Sequence, residues 1–183
     1  MRYLHRGRFM AAHRAEDTVL IAEVVREAQP RIVVELGTSL GGMSAFFADV
    51  IAPWGGVVHT FDHVRQPELD DLEAEYGERI VLHQADVLAG HPGVVQLVAQ
   101  PGALLYCDNG DKERELATYA PRLAVGGFLG THDYGTELDP ERTEALVASF
   151  GYKPHRHDEF AAMAHPVDYP HSLTRFWRRA RLP

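Results

Sequence analysis

The chain has 183 residues, a formal net charge of −8, 45% hydrophobic residues and a single cysteine, Cys107. This length fits one domain, residues 1–183, and the hydrophobic fraction is normal for a globular core. No apolar run is long enough to span a membrane, and one cysteine supports neither a disulfide framework nor a cysteine-rich zinc site. The acidic balance argues against a nucleic-acid binder. We therefore expect a cytoplasmic protein whose partner is neither a membrane nor a nucleic acid.

Short apolar runs alternate with amphipathic segments along most of the chain. Apolar residues at helical spacing fill the intervals between the runs. The β-branched and apolar runs themselves predict five buried parallel strands, at Arg31–Leu36, Gly56–Asp62, Arg79–His83, Ala103–Asp108 and Gly127–Asp133. Strand and helix in alternation, with short connections, predict an α/β fold with a doubly wound, mostly parallel sheet.

Both ends of the chain depart from this alternation. Residues 154–183 break the rhythm, and Leu173–Arg178 predicts a strand that belongs to a closing antiparallel pair. The first fourteen residues carry four arginines, and no apolar region of a secretory signal follows them. We expect residues 1–14 to form a lid over the site.

Acidic or polar side chains follow all five predicted strands. In chain order they are Glu35, Asp62, His63, Asp86, Asp108, His132 and Asp133. In doubly wound sheets, ligands bind outside the carboxyl ends of the strands, near the point where the strand order reverses. A sheet that is only a scaffold does not need carboxylates there, so we expect one ligand site at this rim.

The first strand runs into the motif Glu35-x-Gly37-x-x-x-Gly41, which also contains Thr38 and Ser39. A glycine lets the backbone turn sharply and approach a ligand, and a helix start presents free N–H groups. The two glycines are four residues apart, so the motif is not the dinucleotide fingerprint. Glu35 would repel a pyrophosphate. The turn therefore favours a ligand with a cationic amino-acid end.

Two later aspartates extend this prediction toward a nucleoside. Asp62, followed by His63, stands where a carboxylate accepts hydrogen bonds from ribose hydroxyls, and we favour this over a helix cap. Asp86 suits an adenine amino group or the cap of the next segment, and the sequence leaves both open.

Taken together, these motifs resemble the class I S-adenosylmethionine-dependent methyltransferases over residues 15–135. The resemblance implies a seven-stranded Rossmann-like sheet with an antiparallel last strand, and S-adenosylmethionine as cofactor. It also implies which part of the cofactor each motif contacts. The methionine part would face Glu35 and Gly37, together with Thr38, Ser39 and Gly41 of the same turn. The ribose would face Asp62 and His63, and the adenine would face Asp86. Asp108 would contact the cofactor from the neighbouring strand end.

The second half of the chain resembles a narrower group, the small-molecule O-methyltransferases of bacterial secondary metabolism. These are the macrolide-sugar, aminocoumarin-sugar and cephalosporin-pathway enzymes, and the matching segments are Tyr106–Lys112, Tyr119–Gly127 and Thr131–Tyr134. Such enzymes often hold a divalent cation with an Asp after the fourth strand and an acidic pair after the fifth. Asp108 and Asp133 match these positions and imply a Mg²⁺ site, whereas the first member of the pair is His132 in this chain.

Two chemistries are open at these residues. A divalent ion held by Asp108 and Asp133 would lower the pKa of an acceptor hydroxyl and orient it. Alternatively, His132 is the general base, and Asp108 or Asp133 fixes its tautomer. A purely structural His132 is the third interpretation.

We expect an S-adenosylmethionine-dependent O-methyltransferase that acts on a small hydroxylated metabolite, a sugar or phenol of antibiotic biosynthesis. The competing hypothesis is a nucleoside-binding relative of the same fold without methyl transfer, either a degenerate binding subunit or a lyase- or hydroxylase-type enzyme. Only residues 1–14, 64–79 and 135–139 are left to form an acceptor pocket. We therefore expect a homodimer in which a second copy supplies the remaining wall.

Overall fold

The structure is a computed structural model that describes residues 3–163 and 173–180. It begins with an antiparallel hairpin of two short strands, β1 (Tyr3–His5) and β2 (Phe9–Ala11). The sequence analysis predicted a covering segment here, but not a hairpin. Strands of three residues are too short to show the alternation that predicts a strand.

The remaining strands form one seven-stranded sheet. They are β3 (Ile32–Leu36), β4 (Val57–Asp62), β5 (Ile80–Gln84), β6 (Leu104–Cys107), β7 (Phe128–Thr131), β8 (Tyr152–His155) and β9 (Arg175–Arg179). Their order is β5-β4-β3-β6-β7-β9-β8. The first five are parallel, and β9 pairs antiparallel with both β7 and β8. The predicted fold class, with its antiparallel last strand, is confirmed. The strand order reverses between β3 and β6, which is where such sheets bind ligands.

Helices cover both faces of this sheet. They are α1 (Ala15–Ala28), α2 (Gly42–Ile51), α3 (Leu69–Tyr76), α4 (Pro92–Val98), α5 (Lys112–Tyr119), α6 (Pro140–Ser149) and α7 (His157–Ala162). Successive residues of a strand point to opposite faces. Leu104 accordingly belongs to the core cluster that includes buried residues of α1, α2, α3 and α7, and Leu105 belongs to the cluster that includes buried residues of α4, α5 and α6. Burying one such side chain stabilises the fold by about 1.5–3 kcal/mol. Over residues 3–163 and 173–180, each helix is too short or too polar to cross a membrane.

The hairpin docks on α2 at the carboxyl edge of the sheet. A side chain on Gly42 would overlap the backbone of Met10 and Ala11, so a glycine is needed for this close approach. Arg6, in the turn of the hairpin, also binds it to α2. Its Nε and Nη2 donate to the two carboxylate oxygens of Asp49 in α2, at 2.6 and 2.8 Å. The docked hairpin brings the chain that follows β2 to the rim of the sheet.

Candidate active site

The carboxyl ends of β3, β4, β6 and β7 open into a cleft of about 330 Å³, a volume within the range of small-molecule sites. Eight of the residues predicted from the sequence line it, namely Glu35, Gly37, Thr38, Ser39, Asp62, Asp108, His132 and Asp133. The lining also contains Met10, Ala11, Ala12 and His13 from the predicted lid segment, together with Gly42, Met43, Asn109, Gly110 and Lys112. The strand-end motifs therefore converge on one cavity.

The turn after β3 depends on a glycine at position 37. Gly37 has a φ of +101°, and a Cβ there would lie 2.5 Å from the carbonyl oxygen of Asp108. The Gly37 amide donates to Phe61 O, and the Asp108 amide donates to Leu36 O, both at 2.8 Å. These bonds lock the turn between β4 and β6, so its backbone lies at the cleft with no side chain in the way.

Glu35 is a buried carboxyl group at the floor of the cleft. The Ser44 hydroxyl donates to its Oε2. The other oxygen, Oε1, is buried and has no hydrogen-bond partner in the described part of the chain. Burial raises the pKa of Glu35 to about 8. A buried acid with an unused acceptor atom is suited to a positively charged donor, because such a donor would favour the ionised form.

Asp62 is fixed by two backbone amides. Its Oδ2 accepts from the Ser39 amide at 2.9 Å, and its Oδ1 accepts from the Val64 amide at 3.1 Å. A carboxylate offers about four acceptor positions, so further positions remain for hydroxyl donors in the cleft. The backbone thus holds Asp62 in a fixed orientation toward the ligand.

Three predicted cofactor residues do not line the cleft. A Cβ on Gly41 would lie 2.7 Å from Leu72 Cδ2, so the absence of a side chain there serves packing against α3. The His63 side chain is 66% exposed, with Nδ1 3.3 Å from Asp62. Asp86 is exposed and accepts from the Leu88 amide at 2.9 Å within a turn, whereas the N-cap of the next helix, α4, is His91. Contacts of these three residues with a cofactor remain predictions.

At the other end of the cleft, His132 lies between two carboxylates. Its Nδ1 is 3.4 Å from Asp108 Oδ1 and 3.2 Å from Asp133 Oδ1. Burial lowers the pKa of His132, but the hydrogen bonds and charges of the two aspartates outweigh it and raise the pKa to about 9. Since both neighbours are acceptors, Nδ1 carries the proton and Nε2 is the nitrogen that can gain or lose one.

His13 is a functional candidate that the sequence analysis did not identify. It is buried, its Nε2 shares a hydrogen bond of 2.7 Å with the Tyr106 hydroxyl, and its ring centroid is 4.1 Å from that of His132. Burial and the neighbouring His132 lower the pKa of His13 to about 4. At neutral pH the two imidazoles therefore carry one positive charge between them, and it is on His132. Residues 1–14 also contain His5, and the sequence alone does not show which histidine faces inward.

Lys112 is a second residue to which the sequence analysis gave no role. Its side chain is 4% exposed, and its Nζ lies 2.8 Å from Asp133 Oδ2 and 2.8 Å from Glu137 Oε2. Nζ also donates to the backbone oxygen of Asn109 at 2.8 Å. Burial opposes the charge, but these carboxylates raise the pKa of Lys112 above its ordinary value, so it stays cationic. Burial raises the pKa of Asp133, but His132 and then Lys112 outweigh it and hold this pKa well below its usual range.

These contacts bear on the predicted magnesium site. Asp133 Oδ2 is paired with Lys112, and Asp133 Oδ1 faces the Nδ1 of His132. Atoms of His13, Asp108 and His132 also lie within 4.8 Å of one another, but the Nδ1 of His132 holds a proton between two acceptors. A magnesium ion needs free oxygen ligands. The carboxylates as arranged do not fit it, and the metal assignment remains a prediction.

The chain matches the family model of a methyltransferase domain over residues 34–134. It is 25% identical over 166 residues to the rhamnosyl O-methyltransferase of Mycobacterium leprae, an alignment that covers 84% of this chain and 68% of that enzyme. It is also 25% identical over 167 residues to the rhamnosyl O-methyltransferase of Mycobacterium bovis BCG, and spans 64% of the length of that relative.

Solved structures show the same fold. The O-methyltransferase TomG from Streptomyces achromogenes, in complex with S-adenosylmethionine, has a TM-score of 0.59 and 17% identity, with 93% of this chain and 82% of TomG covered. The 1,6-didemethyltoxoflavin N1-methyltransferase of Burkholderia thailandensis, with S-adenosylhomocysteine bound, has a TM-score of 0.61 and 18% identity, with 91% and 80% covered.

Proposed function

The chain belongs to the methyltransferase domain family of S-adenosylmethionine-dependent enzymes, and from that premise we propose that it methylates a hydroxyl oxygen of a small metabolite. The proposed acceptor is a sugar or phenol of a bacterial natural product. The observation that carries this proposal is the His132 imidazole, because its Nδ1 faces Asp108 and Asp133 and leaves Nε2 to accept a proton. The similarity to rhamnosyl O-methyltransferases supports a sugar acceptor.

The cofactor is proposed to lie along the cleft from β4 toward β6. Its ammonium group would donate to the unpartnered Oε1 of Glu35, and its ribose hydroxyls would donate to Asp62. The backbone at Gly37 carries no side chain, so it would leave room for the methionine part between these two carboxyl groups. In this orientation the sulfonium would lie toward the end of the cleft that holds Asp108 and His132.

The reaction is an in-line displacement. The acceptor oxygen forms a bond to the methyl carbon, the carbon–sulfur bond breaks, and S-adenosylhomocysteine leaves. The hydroxyl proton passes to Nε2 of His132, and Asp108 and Asp133 stabilise the imidazolium that results. A base must first be neutral, and the pKa of His132 is about 9 before the cofactor binds. The sulfonium lowers this pKa by like-charge repulsion, so that cofactor binding prepares the base.

Methyl transfer from labelled S-adenosylmethionine tests the proposal directly. The purified chain is incubated with a panel of rhamnosides, other glycosides and phenols, and the products are identified by mass spectrometry. We expect a methyl ether and an equal amount of S-adenosylhomocysteine. Tight binding of S-adenosylhomocysteine without methyl transfer to any member of the panel would favour the nucleoside-binding alternative. A methyl group on nitrogen or carbon would contradict oxygen as the acceptor atom.

We also propose that a second copy of the chain completes the acceptor pocket. Residues 64–79 and 135–139 were candidates for its wall, and within the described chain neither segment lines the cleft. Of the predicted wall segments, the one that lines the cleft in the described chain is the N-terminal one, through Met10–His13. Light scattering should give the mass of a dimer, and a monomeric mass would contradict this part of the proposal.

A further inference from the structure

Three oxygen atoms hold the ammonium of Lys112 in a buried site. One belongs to Asp133, one to Glu137 and one to the backbone of Asn109, and all three lie 2.8 Å from Nζ. Carboxylate and carbonyl oxygens are also the ligands that a hard divalent cation takes. The chain therefore places a covalently attached cation where the sequence resemblance implies a metal ion.

Three carboxylates, those of Asp108, Asp133 and Glu137, lie within 4 Å of the ammonium of Lys112. The two oxygens of Asp133 are both in use, because Oδ2 contacts Nζ of Lys112 and Oδ1 contacts Nδ1 of His132. A divalent ion that bound this carboxylate would have to displace the ammonium from it.

We propose that Lys112 replaces the divalent cation and that this methyltransferase works without a metal. The proposal rests on the proposed function, because it makes Lys112 a positioning residue for that reaction. Nζ holds Asp133 Oδ2, and the second oxygen of the same carboxylate orients His132. The ammonium also lies 3.9 Å from Asp108, the other partner of His132. One cation thus fixes both carboxylates that hold the base.

Manganese binding tests this proposal without reference to activity. Mn²⁺ accepts both carboxylate and imidazole ligands, so it probes the Asp108 and Asp133 pair as well as the group of His13, Asp108 and His132. Free Mn²⁺ is followed by electron paramagnetic resonance during titration of the full chain, with and without S-adenosylhomocysteine. The variants are Lys112→Met, which keeps the length of the side chain without its charge, and Lys153→Met. Lys153 is exposed on β8 and is the other lysine of the chain, so it is the matched control.

We expect wild type and Lys153→Met to bind no Mn²⁺ below about 1 mM, the range of weak cation sites. Lys112→Met should gain a site at least about tenfold tighter, and an added Asp108→Asn substitution should remove it. A wild-type Mn²⁺ site that Asp108→Asn abolishes would overturn the proposal. So would a folded Lys112→Met that binds S-adenosylhomocysteine but gains no Mn²⁺ site.

If Lys112→Met does not fold, Lys112→Gln is used in its place. The Mn²⁺ titration of the wild type tests the proposal even if neither variant folds. Methyl transfer is measured separately, so the two proposals fail in different ways. An inactive wild type that also excludes Mn²⁺ would contradict the proposed function. An active wild type with a Mn²⁺ site would contradict only the role of Lys112.

Discussion

The two ends of the cleft differ in how their charges are compensated. At the end where we propose that the cofactor binds, here called the cofactor end, Glu35 is buried, and one of its oxygens has no hydrogen-bond partner among the described residues. Its pKa of about 8 keeps it mostly protonated at neutral pH. At the proposed catalytic end, Asp133 lies against two cations, Lys112 and His132. The cofactor end lacks a cation beside its buried carboxyl group, so it is suited to a positively charged group of a ligand. The second end contains its cations already, so its geometry is set before any ligand arrives.

The largest expected effect comes from breaking the complete end. His132→Asn keeps a polar side chain but removes the base, so we expect kcat to fall by about 10²–10⁴-fold, the usual contribution of general-base catalysis. Affinity for S-adenosylhomocysteine should stay within about twofold, since single-residue effects this far from the cofactor end are small. Single-turnover methyl transfer and calorimetry measure the two quantities.

His155→Asn is the matched control for this change, because His155 lies on β8, does not line the cleft and has no assigned role. It should leave the rate unchanged. An equal rate for His132→Asn and wild type would contradict the assignment of His132 as the base. It would leave His132 with the structural role that the sequence also allowed.

The second largest effect is expected at the close contact between Gly37 and Asp108, which joins the two ends of the cleft. Gly37→Ala would place a Cβ 2.5 Å from Asp108 O at a φ of +101°, so strain and overlap act together. We expect the free energy of unfolding to fall by about 3 kcal/mol or more, which is large for a single substitution. Urea denaturation measures this loss.

Gly102→Ala separates the two causes. Gly102 has a φ of +73°, but a Cβ there would meet no atom within 4 Å. Only the left-handed backbone then opposes the substitution, at about 1–2 kcal/mol. Equal losses for the two variants would show that the approach of Gly37 to Asp108 is not tight. The connection between the two ends would then be weaker than the structure indicates.

The difference between the ends also explains how far the sequence could predict the site. Glu35 and Gly37 belong to one continuous segment, and Asp62 ends the adjacent strand, so local patterns were sufficient to identify them. The catalytic end combines His13, Lys112 and His132, which come together only after the sheet and the hairpin have formed. Lys112 occurred in a segment already singled out, but its contact with Glu137 depends on the turn after β7.

A smaller effect is expected at Asp62, which tests the cofactor end alone. Asp62→Asn removes the negative charge that receives ribose hydroxyls and weakens the bond from the Ser39 amide. A hydrogen bond to a charged group contributes about 1.5–3 kcal/mol, so affinity for S-adenosylhomocysteine should fall about 10- to 100-fold. The rate at saturating cofactor should change little. Asp158→Asn changes an exposed aspartate on α7 that does not line the cleft, so it should leave the affinity unchanged in the same calorimetric titration. A loss equal to that of Asp62→Asn would contradict the ribose assignment.

The smallest effect is the number of protons released when S-adenosylhomocysteine binds. This number distinguishes the two ends most directly. Burial raises the pKa of Glu35 to about 8, so the group is mostly protonated at pH 7. An ammonium at Oε1 favours the carboxylate and lowers this pKa, so that binding should release close to one proton at pH 7. The release should disappear as the pH rises above 8, because Glu35 is then ionised before binding. S-adenosylhomocysteine carries the ammonium but not the sulfonium, so it leaves His132 largely unperturbed.

Calorimetry in buffers of different ionisation enthalpy measures this release. Glu35→Gln should abolish it. Glu115→Gln should not, although Glu115 is also buried with a pKa of about 8, because it lies on α5 and does not line the cleft. A binding enthalpy that is the same in every buffer would mean that Glu35 does not meet the ammonium. Asp133, whose pKa its neighbouring cations hold low, should contribute no proton at any of these pH values. If Glu35→Gln still releases a proton on binding, the group that loses the proton would be another residue of the cleft.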